Sequence, residues 1–206
     1  MNKILFKQQL SKDVFLMRIE APLIAEERQA LQFIILQTDD DYGERIPLTI
    51  ADASTEEGSI TIIFQVVGKT TLALSLMKEG DELPALVGPL GKPTHIAQYG
   101  TIVYVEGGIE VAPLHPSAQA LKKAGNKMII IVGARNKELI ILENKMKALA
   151  DEFILCTDDG TAGRKALVTE PLKEICQREE KPGMVIAIGP PVMMKFCSLN
   201  TKPFNI

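Results

Sequence analysis

TIVYVEGGIEVAPLHPSAQALKKAGN, Thr101 to Asn126, is the stretch that decides the fold. Ile102, Val103, Tyr104 and Val105 form a short apolar run that stops at Gly107-Gly108. After that loop and Pro113, Ala118, Leu121 and Ala124 fall on one face of a helix. A buried strand passing through a glycine turn into a helix aims backbone N–H groups at the helix start, which suits a phosphate. Taken alone, a Gly-Gly pair fits a plain βα turn equally well.

Working outward, the same unit repeats downstream. Strand KMIIIVGA (127–134) precedes helix KELIILENKMKALA (137–150), and EFILCTDD (152–159) precedes a glycine-rich loop and helix TEPLKEICQREE (169–180). GMVIAIG (183–189) then leads to a helix around VMMKFCSL (192–199). Four successive β-then-α units predict a doubly wound parallel sheet covered on both faces.

Upstream the rhythm is different. VFLMRIEAP (14–22), LQFIILQT (31–38), RIPLTIADA (45–53), SITIIFQVVG (59–68) and DELPALVGPLGKP (81–93) read as strands with Gly, Asp and Pro punctuation. TTLALSLMKEG (70–80) reads as a short helix capped by Gly80. Several short strands and one helix predict a small antiparallel β-barrel. The change of rhythm falls in KPTHIAQYG (92–100), which divides the chain into domains 1–97 and 98–206. The chemistry is expected in a cleft between them.

Composition narrows the partners. With 46% hydrophobic and 24% charged residues the chain can build real cores, and a net charge of −3 offers no general attraction to nucleic acid or anionic lipid. MNKILFKQQL lacks a signal-peptide core, and no apolar run approaches the roughly 20 residues of a membrane helix, so the cytoplasm is expected. Cys156, Cys176 and Cys197 are widely spaced, without a Cys-x-x-Cys pair. They suit buried thiols in a reducing compartment, and two histidines, His95 and His115, do not suggest a metal site.

Several loops carry candidate chemistry. RIPLTIAD brings Arg45 and Thr49 to one strand, and Gly68-Lys69-Thr70-Thr71 opens the barrel-half helix with amides, two hydroxyls and an ammonium. Its glycine spacing is not that of a Walker loop, and a charged strand end followed by a capped helix is the structural alternative. VGPLGKP (87–93) lets backbone approach a flat ligand at Gly88, or makes a simple turn. GARNK (133–137), TDDGTAG (157–163) and GPPVMM (189–194) all follow strands, at the carboxyl edge where open α/β sheets bind ligands. There Arg135 can reach a phosphate or ribose, and Asp158 or Asp159 can accept ribose hydroxyls.

The order RIPLT, GKTT, GPLGKP, GGIEVAP, GAR, TDDGTAG and GPPVMM resembles the ferredoxin–NADP reductase superfamily over nearly the whole chain. Within it the chain is similar to the electron-transfer subunits of NAD-dependent dihydroorotate dehydrogenases and to the small subunits of NADH-dependent ferredoxin:NADP oxidoreductases of the sulfide dehydrogenase type. The resemblance implies an FAD-binding barrel, an NAD(P)-binding domain and a larger redox partner subunit carrying FAD and iron–sulfur groups. By position, Pro47, Leu48 and Thr49 would lie against the isoalloxazine and ribityl chain, and Gly68, Lys69, Thr70 and Thr71 would hold the pyrophosphate. Gly107, Gly108, Ala112, Pro113 and Gly189 would receive the nicotinamide nucleotide, with Arg135 and Asp158 near its ribose–phosphate. The cofactors carry the reaction, so no acid–base catalyst is named. NADH and NADPH are not distinguished, although Arg135 with Lys137 could grip a 2′-phosphate.

Three departures accompany the resemblance. Ile46 stands where relatives carry arginine and Arg45 lies one residue earlier, a step that turns a strand side chain to the other face and leaves Lys69 as the main cation. Glu110 stands where relatives carry glycine; a carboxylate about 4 Å from a phosphate costs about 4 kcal/mol at an effective dielectric near 20, roughly a thousandfold in affinity. Either Glu110 turns to solvent or nucleotide binds weakly. Finally, relatives continue into a cysteine-rich tail holding a [2Fe-2S] cluster, which a sequence with only Cys197 near TKPFNI cannot build. A docking scaffold without catalysis is the reading from another class.

Overall fold

Alternating side chains build the first unit of the computed structural model, Met1–His95. The structure describes residues 2–39 and 43–206, with Glu110 described by its backbone alone. The strands are β1 (Asn2–Ser11), β2 (Val14–Glu20), β3 (Phe33–Gln37), β4 (Ile46–Ser54), β5 (Ser59–Gln65), β6 (Glu82–Leu83) and β7 (Ala85–Leu90). They form one antiparallel sheet in the order β6-β1-β2-β5-β4-β3-β7. Its two edge strands are consecutive in the chain and separated only by Pro84, so the sheet curls until its ends nearly meet. Inward residues Ile4, Met17, Ile19, Ile34, Leu36, Ile50 and Ile62 fill the barrel.

Two helices join this unit. The first, α1 (Pro22–Glu27), was not expected; it opens on a proline, whose fixed φ suits a first turn, and buries Ile24 and Ala25. The second, α2 (Lys69–Leu76), sets Leu74 into the barrel core. It stops short of Gly80, the expected cap. Lys7 of β1 donates its ammonium to the carbonyl oxygens of Ser75 and Met77, so a cation satisfies the helix end where a glycine was expected to. β1 was also missed, because its polar residues are mostly exposed and only Ile4 is deeply buried.

The second unit, Ile96–Ile206, contains β8 (Thr101–Gly107), α3 (Val111–Lys123), β9 (Lys127–Ala134), α4 (Glu143–Leu149), β10 (Glu152–Thr157), β11 (Arg164–Lys165), α5 (Thr169–Cys176), β12 (Met184–Ile188) and α6 (Pro191–Thr201). The strands run parallel in the order β11-β10-β9-β8-β12. On one face Val103, Val105, Ile129 and Ile131 pack with Leu172, Ile175 and the three buried cysteines. On the other, Tyr104 donates its hydroxyl to Ser117 of α3 at 2.9 Å.

Helix boundaries moved for local reasons. α3 begins before Pro113, because a proline in the first turn forfeits an amide that has no intrahelical partner anyway. It ends in a Schellman turn, with Gly125 at φ 87° and the Asn126 amide donating to the Leu121 carbonyl. α4 is half as long as expected, since Leu142 at φ 54° interrupts the run. No helix among the described residues is long and apolar enough to cross a membrane.

Candidate cofactor sites

In the barrel, strand pairing opens a notch. Residues 46–49 of β4 pair with β3, whereas β4 meets β5 only from Ile50 onward, where Ile50 faces Ile62. Beyond that point β5 pairs with β2 alone, through Ile63, Phe64 and Gln65, and runs on to Gly68. The start of β4 and the end of β5 therefore part at one end of the barrel, leaving ladder groups on both lips without a strand partner.

Exposure alternates along the β4 lip. Arg45 and Pro47 are exposed, Ile46 and Leu48 pack against the barrel core, and Thr49 is half-buried. As the strand step requires, Ile46 points inward and Arg45 to the other face. Arg45 sits with Pro47, its Nε donating to Gln37 Oε1 at 3.3 Å. Leu48 has its side chain in the core and offers only backbone. At Gly88 a Cβ would lie 2.7 Å from Ile34 Cγ2, so packing between β7 and β3 already requires a glycine.

The Gly68 loop forms the other lip. Thr71 Oγ1 accepts from the amides of Val67 and Gly68 at 3.0 and 3.1 Å and donates to the Gly68 carbonyl. Gly68 has no side chain with which to reciprocate, so this is half a capping box. The amides of Lys69, Thr70 and Thr71 at the helix start have no side-chain cap, and space around Gly68 is open. Thr70 and Thr71 are buried and Lys69 is exposed. Of the two hydroxyls expected to face a phosphate pair, that of Thr71 is taken up by the loop itself. The amides and the ammonium remain, a donor set that fits a pyrophosphate.

In the second unit, strand order reverses between β8 and β12, the switch point at which open α/β sheets bind ligands. Gly107-Gly108 follows β8 and Gly189-Pro190-Pro191 follows β12. A Cβ on Gly189 would lie 3.3 Å from Gly107 Cα, and one on Gly107 would lie 2.8 Å from Met193 Sδ, so the two loops pack backbone to backbone. Gly108 has φ 68° with open space around it. Ala112 is buried and Pro113 half-buried at the start of α3. The direction of the Glu110 side chain lies outside the described residues.

Arg135 and Asp158 follow the next two strands at their carboxyl ends. Thr157 pairs with Ala134, and the Asp158 amide donates to the Ala134 carbonyl at 3.1 Å. Both side chains are exposed, and no partner for either is found among the described residues. Asp159 differs: its Oδ1 accepts from the Thr161 hydroxyl and amide, which hold its carboxyl below the ordinary value. The acid open to a ligand is thus Asp158. Asn136 contributes a buried Oδ1 without a partner among the described residues. Unpaired backbone, Arg135, Asp158 and Asn136 suit the sugar–phosphate part of a nucleotide.

One residue at this edge was missed. Glu106, the last side chain before the glycine pair, is 0% exposed, and neither carboxylate oxygen has a partner among the described residues. Burial raises its pKa well above 4.5. A charged residue closing the apolar run TIVYV was the available signal. Among the described residues no cluster of His, Cys, Asp or Glu is placed to hold a metal ion.

No family model matches the chain. It is 43% identical over 206 residues to the dihydroorotate dehydrogenase B (NAD(+)) electron transfer subunit homolog of Thermotoga maritima, covering 100% of this chain and 72% of that protein. Its fold superposes on the solved NADH-dependent reduced ferredoxin-NADP oxidoreductase, a structure studied for flavin-based electron bifurcation. That match has a TM-score of 0.91 and 41% identity, over 98% of this chain and 72% of that one. The cytochrome b5 reductase domain of Ulva prolifera nitrate reductase shares the fold at TM-score 0.76 and 17% identity, over 100% of this chain and 92% of that one. The chain belongs to the family of dihydroorotate dehydrogenase B electron transfer subunits and their homologues, built on the ferredoxin-reductase-like fold.

Proposed function

We propose that the chain is an FAD-dependent electron-transfer subunit of an oxidoreductase, with FAD in the barrel (1–97) and NAD(P)H in the parallel-sheet domain (98–206). The observation that carries this reading is the notch between β4 and β5 that runs into the uncapped start of α2. Bound FAD supplies hydride exchange with NAD(P)H and onward single-electron transfer. Pro47 and Thr49 offer a flat, half-exposed strand surface for a ring. The amides of Lys69 and Thr70, with the Lys69 ammonium, hold the pyrophosphate. Gly107, Gly108 and Gly189 bring bare backbone to the nicotinamide nucleotide, whose ribose–phosphate lies by Arg135 and Asp158. The electrons pass to or from a larger redox subunit, of the ferredoxin:NADP oxidoreductase or the dihydroorotate dehydrogenase type; the relatives support both. Three buried free thiols favour a reducing, cytoplasmic setting.

A second reading, a docking scaffold without catalysis, is favoured by the unpaired Glu106. Titrating the purified chain with FAD and with riboflavin separates the two. The cofactor reading expects one FAD per chain, with riboflavin at least about tenfold weaker because it lacks the pyrophosphate that α2 receives. Failure to bind either flavin by calorimetry would leave the scaffold.

A further inference from the structure

We propose that Glu106 couples nucleotide binding to proton uptake. Its carboxyl, enclosed beside Gly107-Gly108, admits a dinucleotide only as the neutral acid, so nucleotide binding takes up a proton wherever the free protein has lost it. The inference rests on the nucleotide reading above.

Strand alternation turns Glu106 to the face on which Tyr104 meets Ser117 of α3. Two strand residues advance about 6.6 Å, equal to about four helical residues. Since α3 runs back along β8, Glu106 lies under the first turn of that helix. Val132 of β9 and Ile188 of β12 are its register neighbours and bring no donor. Tyr104 on its own strand is buried, and its hydroxyl is engaged with Ser117. His115 on α3 is buried and has an interaction of its own. Lys145 and Lys147 of α4, which packs on α3 and β9, are exposed.

Among the described residues a carboxylate in this position has no counter-charge and no hydrogen bond. It can ionise only if water reaches it, which means opening the start of α3 and the glycine loop that would hold the nucleotide. The phosphates add repulsion in a poorly screened place. The neutral acid has neither problem.

The folded carboxyl keeps its proton to higher pH than its unfolded counterpart, whose ordinary value is 4.5. Its contribution to stability is full below that value and is lost as pH rises through the folded pKa. Affinity for NAD⁺ falls in the same direction, about tenfold per pH unit once Glu106 ionises.

The test uses the full chain loaded with oxidised FAD and calorimetric titrations with NAD⁺, which cannot reduce the flavin, from about pH 5 to about pH 9.5, each in two buffers of different ionisation enthalpy. The wild type should lose affinity with rising pH and take up close to one proton per NAD⁺. Glu106→Gln, which keeps the shape of the neutral acid, should bind with a flatter profile and without that proton. Coincident profiles for the two proteins would overturn the proposal and leave the nucleotide reading standing. No NAD⁺ binding by either protein at any pH would remove both. If the variant does not fold, the wild-type proton count decides: uptake near one supports the role of Glu106, and none at a pH where affinity falls refutes it.

Discussion

Replacing Thr71 by valine is expected to lower FAD affinity by about 30- to 100-fold while leaving the barrel folded. The side chain keeps its outline but loses the oxygen that accepts from Val67 and Gly68 and returns to the Gly68 carbonyl. Three net hydrogen bonds of about 0.5–1.5 kcal/mol each hold the loop, so their loss releases the lip on which the pyrophosphate rests. Leu74, on the buried side of the same helix, still anchors α2 in the core. Flavin fluorescence gives the affinity and far-UV circular dichroism checks the fold. Thr71→Ser, which keeps the oxygen, should recover most of the binding. Equal affinities for wild type and Thr71→Val would mean that the loop does not carry the phosphate.

The second large effect is on stability. Gly163→Ala should lower the melting transition of the parallel-sheet unit by about 10 °C or more. Gly163 has φ 63°, a region costing an alanine about 1–2 kcal/mol, and the added Cβ would run into the Leu155 carbonyl. Strain and backbone collision together amount to about 3 kcal/mol. Gly100→Ala provides the comparison, since φ there is 82° but nothing lies within 4 Å of the added carbon. It should show the φ cost alone, and a Gly163→Ala loss no greater than that of Gly100→Ala would refute the collision.

These two residues show what the sequence made legible. Glycine and proline punctuate every loop at the carboxyl edge, so the switch-point site, Arg135 and Asp158 could be placed from the chain alone. The parallel strands announce themselves by continuous apolar runs buried on both faces. A hydroxyl near a helix start is legible in the sequence, but not that Thr71 bonds back to its own loop. The partners of Arg45 and the inward turn of Ile46 depend on where β4 leaves β5, a non-local event. β1 and the six-residue α1 owe their existence to pairing and packing rather than to their own pattern. Glu106 reads in the sequence only as the end of a strand. Only its depth, and the absence of a donor among the described residues around it, gives it significance.

The measurement that bears most directly on the account is an anaerobic titration of the FAD-loaded full chain with NADH and, separately, NADPH, followed by the flavin absorbance near about 450 nm. A stoichiometric amount of at least one nucleotide should bleach the band, since hydride exchange between NAD(P)H and FAD is the proposed function. A fully loaded flavin that neither nucleotide reduces, at low pH where Glu106 is neutral as well as at high pH, would contradict it.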